Sequence, residues 1–502
     1  MKCSTRPLTS FLKGRCIPET SNHNKAKNFL LYDPSTNKVR QSVQPATSSQ
    51  IQEAIKTSAV AQRHWYNDYT PSDRAHILNK ASTLLRERSE EIATLESTET
   101  GRVISETSTY DVPTACNSLH YHASLLTSSA IQNFSETIDS SLVYSHRQPL
   151  GVTVGLGAWN YPLVNAIAKS APALAFGNSM LFKPSELTPS TTLELAHIYH
   201  EAGVPEGVFQ VLLGGGDVGK QLVNDGSGIV QKVSMTGSVD TGRKVYQAAA
   251  KNLNSVTLEL GGKSPLILWD DCDIKQAVVA AMVANWYSNG QVCSNGTRVF
   301  VHSSIQEEFV AQLVLQTKNL IIGNPLNPMT NVGPMVSQNH MEKVLEYIHI
   351  GKEVDKATLV YGGERHNLDE GNYLQPAIFI DCTDNMRIVQ EEVFGMLLSV
   401  LTFESEEEVI QRANATSFGL AAGIFTQDVT RAHRFAKRLE AGTVWINNYN
   451  VGPVEVPWSG WKNSGVGLEN GFLGAQTWTK VKSVHVEIGE IANPFQNSKM
   501  PH

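Results

Sequence analysis

The chain has 502 residues, a length that predicts two or three packed units rather than one core. Hydrophobic residues at 41% and charged residues at 18% are ordinary for a globular protein and exclude a disordered chain. A net charge of −7 and the lack of any long uninterrupted apolar run predict neither a nucleic-acid partner nor a membrane span.

The N-terminus and the cysteines bear on the compartment. The N-terminal segment is basic, with no acidic residue before Glu19, and it weakly resembles a mitochondrial transit peptide. We favour a short basic tail and a cytoplasmic protein, with the mitochondrion as the alternative. The cysteines have no paired spacing, which indicates reduced thiols. They are Cys3, Cys16, Cys116, Cys272, Cys293 and Cys382. No CxxC motif or His-rich cluster is present to predict a metal site.

The first third of the chain is predicted to be helical. Ser48 or Ser49 is placed to cap a helix through residues 51–59, and Ser72 to cap another through 77–85. Residues 131–149 are mostly polar, with polar and apolar residues alternating, which predicts an extended segment.

From residue 150 onward, short apolar runs alternate with helical patterns, as is typical of βαβ units on a parallel sheet. Strands are predicted in 151–157, 179–182, 208–213, 232–235 and 256–260. A second series follows, with strands in 298–301, 397–403 and 442–447. The chain is therefore predicted to form two α/β domains joined near residue 261.

A glycine motif lies between a predicted strand and a predicted helix. Gly214 and Gly219 bound a GxGxxG sequence, but no acidic residue ends a following strand at the distance expected of a dinucleotide site. A Gly-rich strand-to-helix turn is an equally good interpretation.

Three polar residues are candidates for chemistry. Cys293 has polar, Gly-rich neighbours, as suits an accessible thiolate nucleophile. Glu259 is an acid at an apolar strand end, where it is either functional or in a structural ion pair with Lys263. Asn160 follows a strand before Tyr161 and is either an oxyanion donor or a turn residue.

Seven motifs, in order along the chain, resemble those of the aldehyde dehydrogenase family. The likeness runs from about residue 8 to 490 and, with Ile446-Asn-Asn-Tyr-Asn450, is nearest to the 4-trimethylaminobutyraldehyde and betaine-aldehyde branch. The motifs are GAWNYP from Gly157, FKPSE from Phe182, TGS at 236–238 with Gly242, LELGGKSP from Leu258, GQVCSNGTR from Gly290, EEVFG from Glu391 and KNSG from Lys462.

The resemblance implies an α/β fold with a Rossmann-like NAD-binding domain (1–130 and 150–261) and a second α/β catalytic domain (262–475). A small β oligomerisation arm (131–149 and 476–490) would make the protein a dimer or tetramer. In the catalytic set that it implies, Cys293 is the nucleophile, Glu259 the base that activates water and Asn160 an oxyanion donor, with Lys183 as the fourth member.

The cofactor implied by the resemblance is NAD. Lys183 and Glu186 would hold the adenosine ribose, Ser238 would meet the pyrophosphate and Glu392 the nicotinamide ribose. A carboxylate at 186 argues against NADP, because it would repel a 2′-phosphate. The full implied set is Trp159, Lys183, Ser185, Glu186, Gly219, Thr236, Gly237, Ser238, Gly242, Leu260, Glu392 and Phe394. GxGxxG at 214–219 then plays little part, apart from Gly219 near the adenine.

The chain also departs from the family pattern. Met396 replaces a usual proline, Ser459 a usual glycine and Leu468 a usual arginine. None of these removes an implied catalytic group, so they put the substrate and the rate in doubt rather than the reaction.

The implied aldehyde tunnel is aromatic at three positions: Tyr161, Tyr287 and Trp458. Such rings bind quaternary ammonium groups, which favours an ω-amino or trimethylammonio aldehyde. A fourth expected aromatic is Ala168, so a general apolar aldehyde is nearly as good an interpretation. Three further hypotheses are a silent structural protein with this fold, an enzyme that transfers the acyl group to coenzyme A, and a module that only binds NAD.

Overall fold

The computed structural model describes residues 7–18, 28–128, 135–138, 141–368, 370–491 and 495. Residues 131–134 and 139–140 of the predicted arm, and residues 1–6 of the basic tail, lie outside this set. No helix among the described residues is long and apolar enough to cross a membrane.

The N-terminal part contains short strands and then helices, as predicted. These elements are β1 (Phe11–Leu12), β2 (Arg15–Cys16), β3 (Phe29–Tyr32), β4 (Val39–Val43), α1 (Ser48–Asn67), α2 (Pro71–Glu87), α3 (Ser89–Thr100), α4 (Ile104–Glu106), a π-helical turn (Thr107–Asp111) and α5 (Val112–Thr127).

The predicted caps of the first two helices are wrong by one or two residues. Thr47 caps α1, because its hydroxyl accepts from Gln50 N–H at 3.3 Å and its own backbone N–H donates to the Gln50 side chain at 2.8 Å. Thr70 caps α2 in the same way with Asp73, since Pro71 occupies the first helical position.

A parallel βαβ series follows. Its elements are β5 (Ser135–Ile138), β6 (Ser141–Pro149), β7 (Val152–Leu156), α6 (Pro162–Ala175), β8 (Ser179–Lys183), α7 (Ser190–Ala202), β9 (Phe209–Val211), α8 (Gly216–Val223), β10 (Val230–Thr236), α9 (Val239–Ala250) and β11 (Ser255–Glu259). Strands β9, β8, β7, β10 and β11 are neighbours in that order and all run parallel. The chain reverses its direction across the sheet between β7 and β10, which is where open α/β sheets bind ligands.

The remaining elements build a second sheet and return to the first. They are β12 (Pro265–Leu268), α10 (Ile274–Trp286), 3₁₀ turns (Tyr287–Gly290 and Ser303–Ile305), β13 (Arg298–His302), α11 (Gln306–Lys318), α12 (Gln338–Glu353), β14 (Thr358–Tyr361), β15 (Ala377–Ile380), α13 (Arg387–Gln390), β16 (Leu397–Phe403), α14 (Glu406–Asn414), β17 (Phe418–Gly419), β18 (Ala421–Phe425), α15 (Val429–Arg438), β19 (Thr443–Ile446), β20 (Trp461–Lys462), β21 (Gly465–Val466), α16 (Gly471–Gln476) and β22 (Thr479–Glu487).

The second sheet has the order β14-β15-β16-β13-β12-β18-β19 and is parallel except at β14. Each sheet has its own buried apolar core. Strand β21 does not stay with the second sheet, because Gly465–Val466 pairs antiparallel with β11 of the first. The range predicted for the catalytic domain, 262–475, therefore includes a short strand that pairs with the first sheet.

Strand β22 pairs with β6 along its whole length, and β5 pairs with the other edge of β6. This three-stranded antiparallel sheet joins the two segments predicted to form an arm. Most residues of β22 are exposed, including Val481 and Val486.

Candidate active site

The site lies where the carboxyl ends of the parallel strands in the first sheet meet the amino ends of the strands in the second sheet. Lys183 and Glu259 are the last residues of β8 and β11, and the segments after β7 and β10 carry Asn160 and Ser238. The segments before β13 and β16 carry the other candidates, Cys293 among them. The contact is direct, because the Asn160 side-chain amide donates to the carbonyl of Gln291 at 2.9 Å.

Cys293 lies in the loop between the Tyr287–Gly290 turn and β13, and it is partly exposed. Gly262 passes so close that a Cβ there would lie 2.4 Å from the Cys293 carbonyl oxygen, so only glycine fits. Burial, followed by the charges of Glu392 and Glu259, raises the pKa of the Cys293 thiol to about 12. The position of Glu392 agrees with this, because it binds Gly262 N–H and Gly262 packs against the Cys293 backbone.

Glu259 is buried at the end of β11, and neither of its side-chain oxygens has a hydrogen-bond partner among the described residues. The alternative ion pair with Lys263 is wrong, since the Lys263 ammonium donates to the carbonyl of Ile388 at 2.7 Å. Burial, and then the charge of Glu469, raises the pKa of Glu259 well above its usual range. A buried acid without a structural partner calls for a functional explanation.

A buried ion pair next to Glu259 was not singled out by the sequence. The Lys169 ammonium donates to Glu469 Oε1 and to Thr236 Oγ1, both at 2.7 Å. The Ser234 hydroxyl donates to the same carboxylate oxygen at 3.0 Å. The available signal was a lysine within the apolar helix α6, but its partner is 300 residues further along the chain.

Asn160 is both a turn residue and a donor aimed at the nucleophile loop. Its backbone carbonyl accepts a long 3.5 Å hydrogen bond from Arg102, and its side-chain amide reaches Gln291. An amide nitrogen carries two hydrogens, so the second N–H is left for a ligand.

Lys183 ends β8 and Glu186 lies just beyond it, with 3.6 Å between Lys183 Nζ and Glu186 Oε2. Lys183 is nearly buried, which lowers its pKa, whereas half of the Glu186 side chain is exposed. Gly219 packs against Lys183, since a Cβ there would lie 3.4 Å from Lys183 Cδ. Ser185 accepts a hydrogen bond from the Leu187 backbone at 3.2 Å. The GxGxxG sequence itself forms the tight turn into α8, with Gly214 at a φ of +147°.

Helix α9 begins at the edge where β10 ends. Ser238 caps it by accepting from the Thr241 backbone at 3.4 Å, and Gly237 N–H donates to the Glu259 carbonyl at 3.0 Å. Gly242 lies under Leu260, where a Cβ would be 2.6 Å from the leucine methyl. The first turn of α9 thus presents free backbone N–H groups toward the same edge as Lys183.

Glu392 reaches across the junction and accepts a hydrogen bond from Gly262 N–H at 3.0 Å. Two residues later, Phe394 has a φ of +60°, and its ring lies edge-on to Trp159 at 5.2 Å. His340, which the sequence motifs do not include, donates to the Phe394 carbonyl at 2.8 Å and contacts the Trp159 ring.

An aromatic cluster lies beside the nucleophile loop. The ring of Tyr110 is 6.1 Å from Tyr161 and 6.5 Å from Tyr287, so Tyr110 joins two predicted tunnel residues. Trp458 contacts a different ring, Trp445, at 6.2 Å. Ala168 is partly exposed on α6, two turns after Tyr161.

Comparisons with known proteins agree with this arrangement. Residues 21–484 match the model of the aldehyde dehydrogenase family. The chain belongs to that family. A betaine aldehyde dehydrogenase of Mesorhizobium japonicum is 48% identical over 465 residues, covering 92% of this chain and 94% of the relative. One of Cereibacter sphaeroides is 50% identical over 450 residues, covering 90% and 92%.

Solved structures lead to the same assignment. An aldehyde dehydrogenase of Bacillus cereus in complex with NAD⁺ superposes with a TM-score of 0.92 at 38% identity, covering 96% of this chain and 97% of that one. A betaine aldehyde dehydrogenase of Staphylococcus aureus with NAD⁺ gives 0.92 at 33% identity, covering 98% and 97%. The predictions of the α/β fold, of the enzyme class and of NAD as cofactor are confirmed. This aldehyde dehydrogenase is an NAD-dependent enzyme that oxidises an aldehyde.

The three departures from the family pattern have different surroundings in this aldehyde dehydrogenase. Met396 is fully buried in the core of the second sheet. The backbone carbonyl of Ser459 fits against Gly442, where a Cβ would be only 1.8 Å from it. Leu468 is partly buried beside the ion-paired Glu469. The described residues contain no group of three or more metal-ligating side chains.

Proposed function

We propose that this aldehyde dehydrogenase oxidises a trimethylammonio or ω-amino aldehyde to its acid through a thioester on Cys293. The observation that carries the mechanism is the environment of Glu259. Its carboxyl group is buried, close enough to Cys293 to raise the pKa of the thiol, and free of hydrogen-bond partners among the described residues. This is the condition of a group held ready for a proton transfer.

The residues divide the reaction between them. The Cys293 thiol, which is partly exposed, gives its proton to solvent water, and its sulfur forms a bond to the aldehyde carbon as the carbonyl π bond breaks and the oxygen becomes an oxyanion. The free N–H of Asn160 and the Cys293 backbone N–H donate to that oxygen. When bound, NAD would supply the hydride acceptor for the oxidation of this carbon. Glu259 then removes a proton from water, the water oxygen attacks the thioester carbon, and the Cys293 thiolate leaves.

The residues at the edge of the first sheet fit NAD. Lys183 and Glu186 offer an ammonium and a carboxylate side by side, which suits the hydroxyl groups of the adenosine ribose. The start of α9 at Ser238 offers N–H groups to the pyrophosphate. Glu392 would hold the second ribose and Phe394 would pack beside the nicotinamide. The remaining predicted contacts come from Trp159, Ser185, Thr236, Gly237, Gly219, Gly242 and Leu260.

The cationic substrate rests on the aromatic cluster and on the names of the relatives. Tyr161, Tyr287 and Tyr110 are clustered beside the nucleophile loop, and ring faces attract ammonium groups. Betaine aldehyde, in the name of the relatives, is a trimethylammonio aldehyde. One observation favours a general aliphatic aldehyde instead, namely the small Ala168.

The substrate test compares kcat/KM for trimethylaminobutyraldehyde with that for hexanal, followed as NADH absorbance at 340 nm. We expect the cationic aldehyde to be preferred at least about tenfold, since a desolvated cation–π contact is worth about 2 kcal/mol. A preference for hexanal overturns the substrate assignment. Cys293→Ala tests the mechanism separately, because it should abolish turnover of both aldehydes.

We also propose that the protein is a cytoplasmic homo-oligomer, either a dimer or a tetramer. The exposed strand β22 supports this, because one of its edges pairs with no other strand in the described part of the chain, and that edge, with exposed Val481 and Val486, offers a pairing surface to a second copy. The five described cysteines are unpaired, as expected in a reducing compartment. Light scattering on the wild type and on Val481→Asp tests the assembly, and a monomeric wild type overturns it. Immunoblotting of cell fractions tests the compartment.

A further inference from the structure

We infer that the hydroxyl group of Ser288 is a positioning element that ties the aldehyde-binding Tyr161 to the loop of the nucleophile. The inference deepens the proposed function and rests on it, since it takes Cys293 as the nucleophile and Tyr161 as a substrate contact.

Ser288 begins an unusual stretch of backbone five residues before Cys293. Ser288, Asn289 and Gly290 all have positive φ angles, of 53°, 56° and 73°. Two consecutive non-glycine residues in the left-handed region are costly and persist only when their surroundings hold them. The contacts of these residues are therefore what fixes the path of the chain into Cys293.

The Ser288 hydroxyl uses its whole hydrogen-bonding capacity. Arg102 Nε–H donates to it at 2.8 Å, and the Tyr161 hydroxyl lies 2.7 Å away. Its own hydrogen is donated to Glu106 Oε2 at 3.2 Å, so the Tyr161 hydroxyl must be the donor to Ser288. The same Glu106 carboxylate accepts from the Ser288 backbone N–H at 3.0 and 3.1 Å.

Arg102 holds this group from the other side. Its guanidinium donates to both oxygens of Asp111, at 2.5 and 3.1 Å, and lies 3.9 Å above the Tyr161 ring. Tyr161 therefore has its hydroxyl directed at Ser288 and one ring face covered. Only its other face and its edge are left for a substrate.

The rest of the turn is held just as firmly. The side chain of Asn289 donates to the carbonyls of Gly101 and Pro334 at 3.1 and 3.0 Å, and accepts from Gly333 N–H at 2.8 Å. The Gln291 carbonyl accepts the amide of Asn160. A disturbance at Ser288 thus reaches the nucleophile, the oxyanion donor and the substrate-binding ring together.

The test uses Ser288→Gly, because glycine tolerates a φ of 53° and removes only the side chain. We expect kcat to fall about tenfold or more, since small displacements of reacting groups cost that much, and the aldehyde KM to rise several-fold. The dissociation constant for NAD should stay within twofold. Ser82→Ala is the matched control, because it removes a buried hydroxyl that donates to the Cys116 carbonyl at 2.9 Å in another part of the fold. It should leave all three constants unchanged.

Tyr161→Phe removes the other end of the contact and should raise the aldehyde KM. Combined with Ser288→Gly it should add little to that KM, because both remove the same hydrogen bond. If Ser288→Gly does not fold, Glu106→Gln gives the kcat test instead. Unchanged kcat and KM in Ser288→Gly, or an equal loss of NAD affinity, overturns the inference. Full turnover in Cys293→Ala overturns the proposed function instead.

Discussion

Replacing Glu259 with glutamine separates the two halves of the proposed reaction. The substitution keeps the shape of the side chain and removes its ability to accept a proton from water. Cys293, Asn160 and the cofactor residues remain in place, and loss of the Glu259 charge favours the Cys293 thiolate, so thioester formation should continue. We expect one equivalent of NADH per active site in a rapid burst, followed by slow turnover.

The expected loss in the rate of thioester hydrolysis is the contribution of general base catalysis. That contribution is about 10²- to 10⁴-fold, which is about 3–5 kcal/mol of activation free energy at 1.36 kcal/mol per tenfold change. Folding stability should change little, because neither oxygen has a hydrogen-bond partner to lose within the described part of the chain.

Glu99→Gln is the matched control with the opposite behaviour. Its buried carboxylate binds Arg40 and accepts from Ser190 N–H at 2.9 Å, so it should lose stability and keep normal kinetics.

Stopped-flow absorbance at 340 nm measures the burst, and mass spectrometry of the quenched enzyme locates the acyl group on Cys293. In the wild type, the rate of thioester hydrolysis should rise with pH, because the pKa of Glu259 is raised and only the ionised form accepts a proton. In Glu259→Gln that dependence should disappear. A single slow phase without a burst refutes the argument, since Glu259 would then act before hydride transfer.

Three further predictions concern the cofactor, the substrate and the thiol. Glu186→Ser should raise kcat/KM for NADP by about tenfold or more, since it removes a carboxylate that would repel the 2′-phosphate; no gain would place the adenosine ribose elsewhere. Ala168→Trp should lower KM for trimethylaminobutyraldehyde by about 2- to 30-fold and not for hexanal, if a ring there completes the cage; equal effects on both would argue against a cation site. Glu392→Gln removes a charge that raises the pKa of Cys293, so iodoacetamide should alkylate the thiol faster at pH 9 than in the wild type. Mass spectrometry measures that rate, and an unchanged rate would contradict the electrostatic argument.

Local patterns predicted part of the site. Asn160 and Glu259 were singled out because each lies at the end of an apolar run, and parallel strands bring their carboxyl ends to one edge. Lys183 and Ser238 were implied only by the resemblance to the family, although they lie at the same edge. The first helix caps were missed although Thr47 with Gln50 is itself a local pattern.

What the sequence could not predict depends on long-range pairing or on irregular backbone. Lys169 meets Glu469 only because the chain returns to the first sheet at β21, just before Glu469. Tyr110 reaches the tunnel residues from a π-helical turn, whose extra residue per turn has no sequence signature. The left-handed turn at Ser288 was not predicted either, because serine has no preference for that region, although Asn289 and Gly290 adopt it readily.

The site therefore combines two opposite kinds of buried polar group. The turn before Cys293 is fixed by hydrogen bonds that use the whole capacity of Ser288, which suits a nucleophile whose position must not vary. Glu259 is left without any such bond among the described residues, which suits a base that must exchange protons with a water molecule. A network in which every polar group has a hydrogen-bond partner is rigid. A buried acid without partners has a raised pKa and can still form a hydrogen bond with water. A partner for Glu259 would stabilise its charged form and weaken it as a base, so its isolation is as much a requirement of the proposed chemistry as the rigidity of the turn beside it.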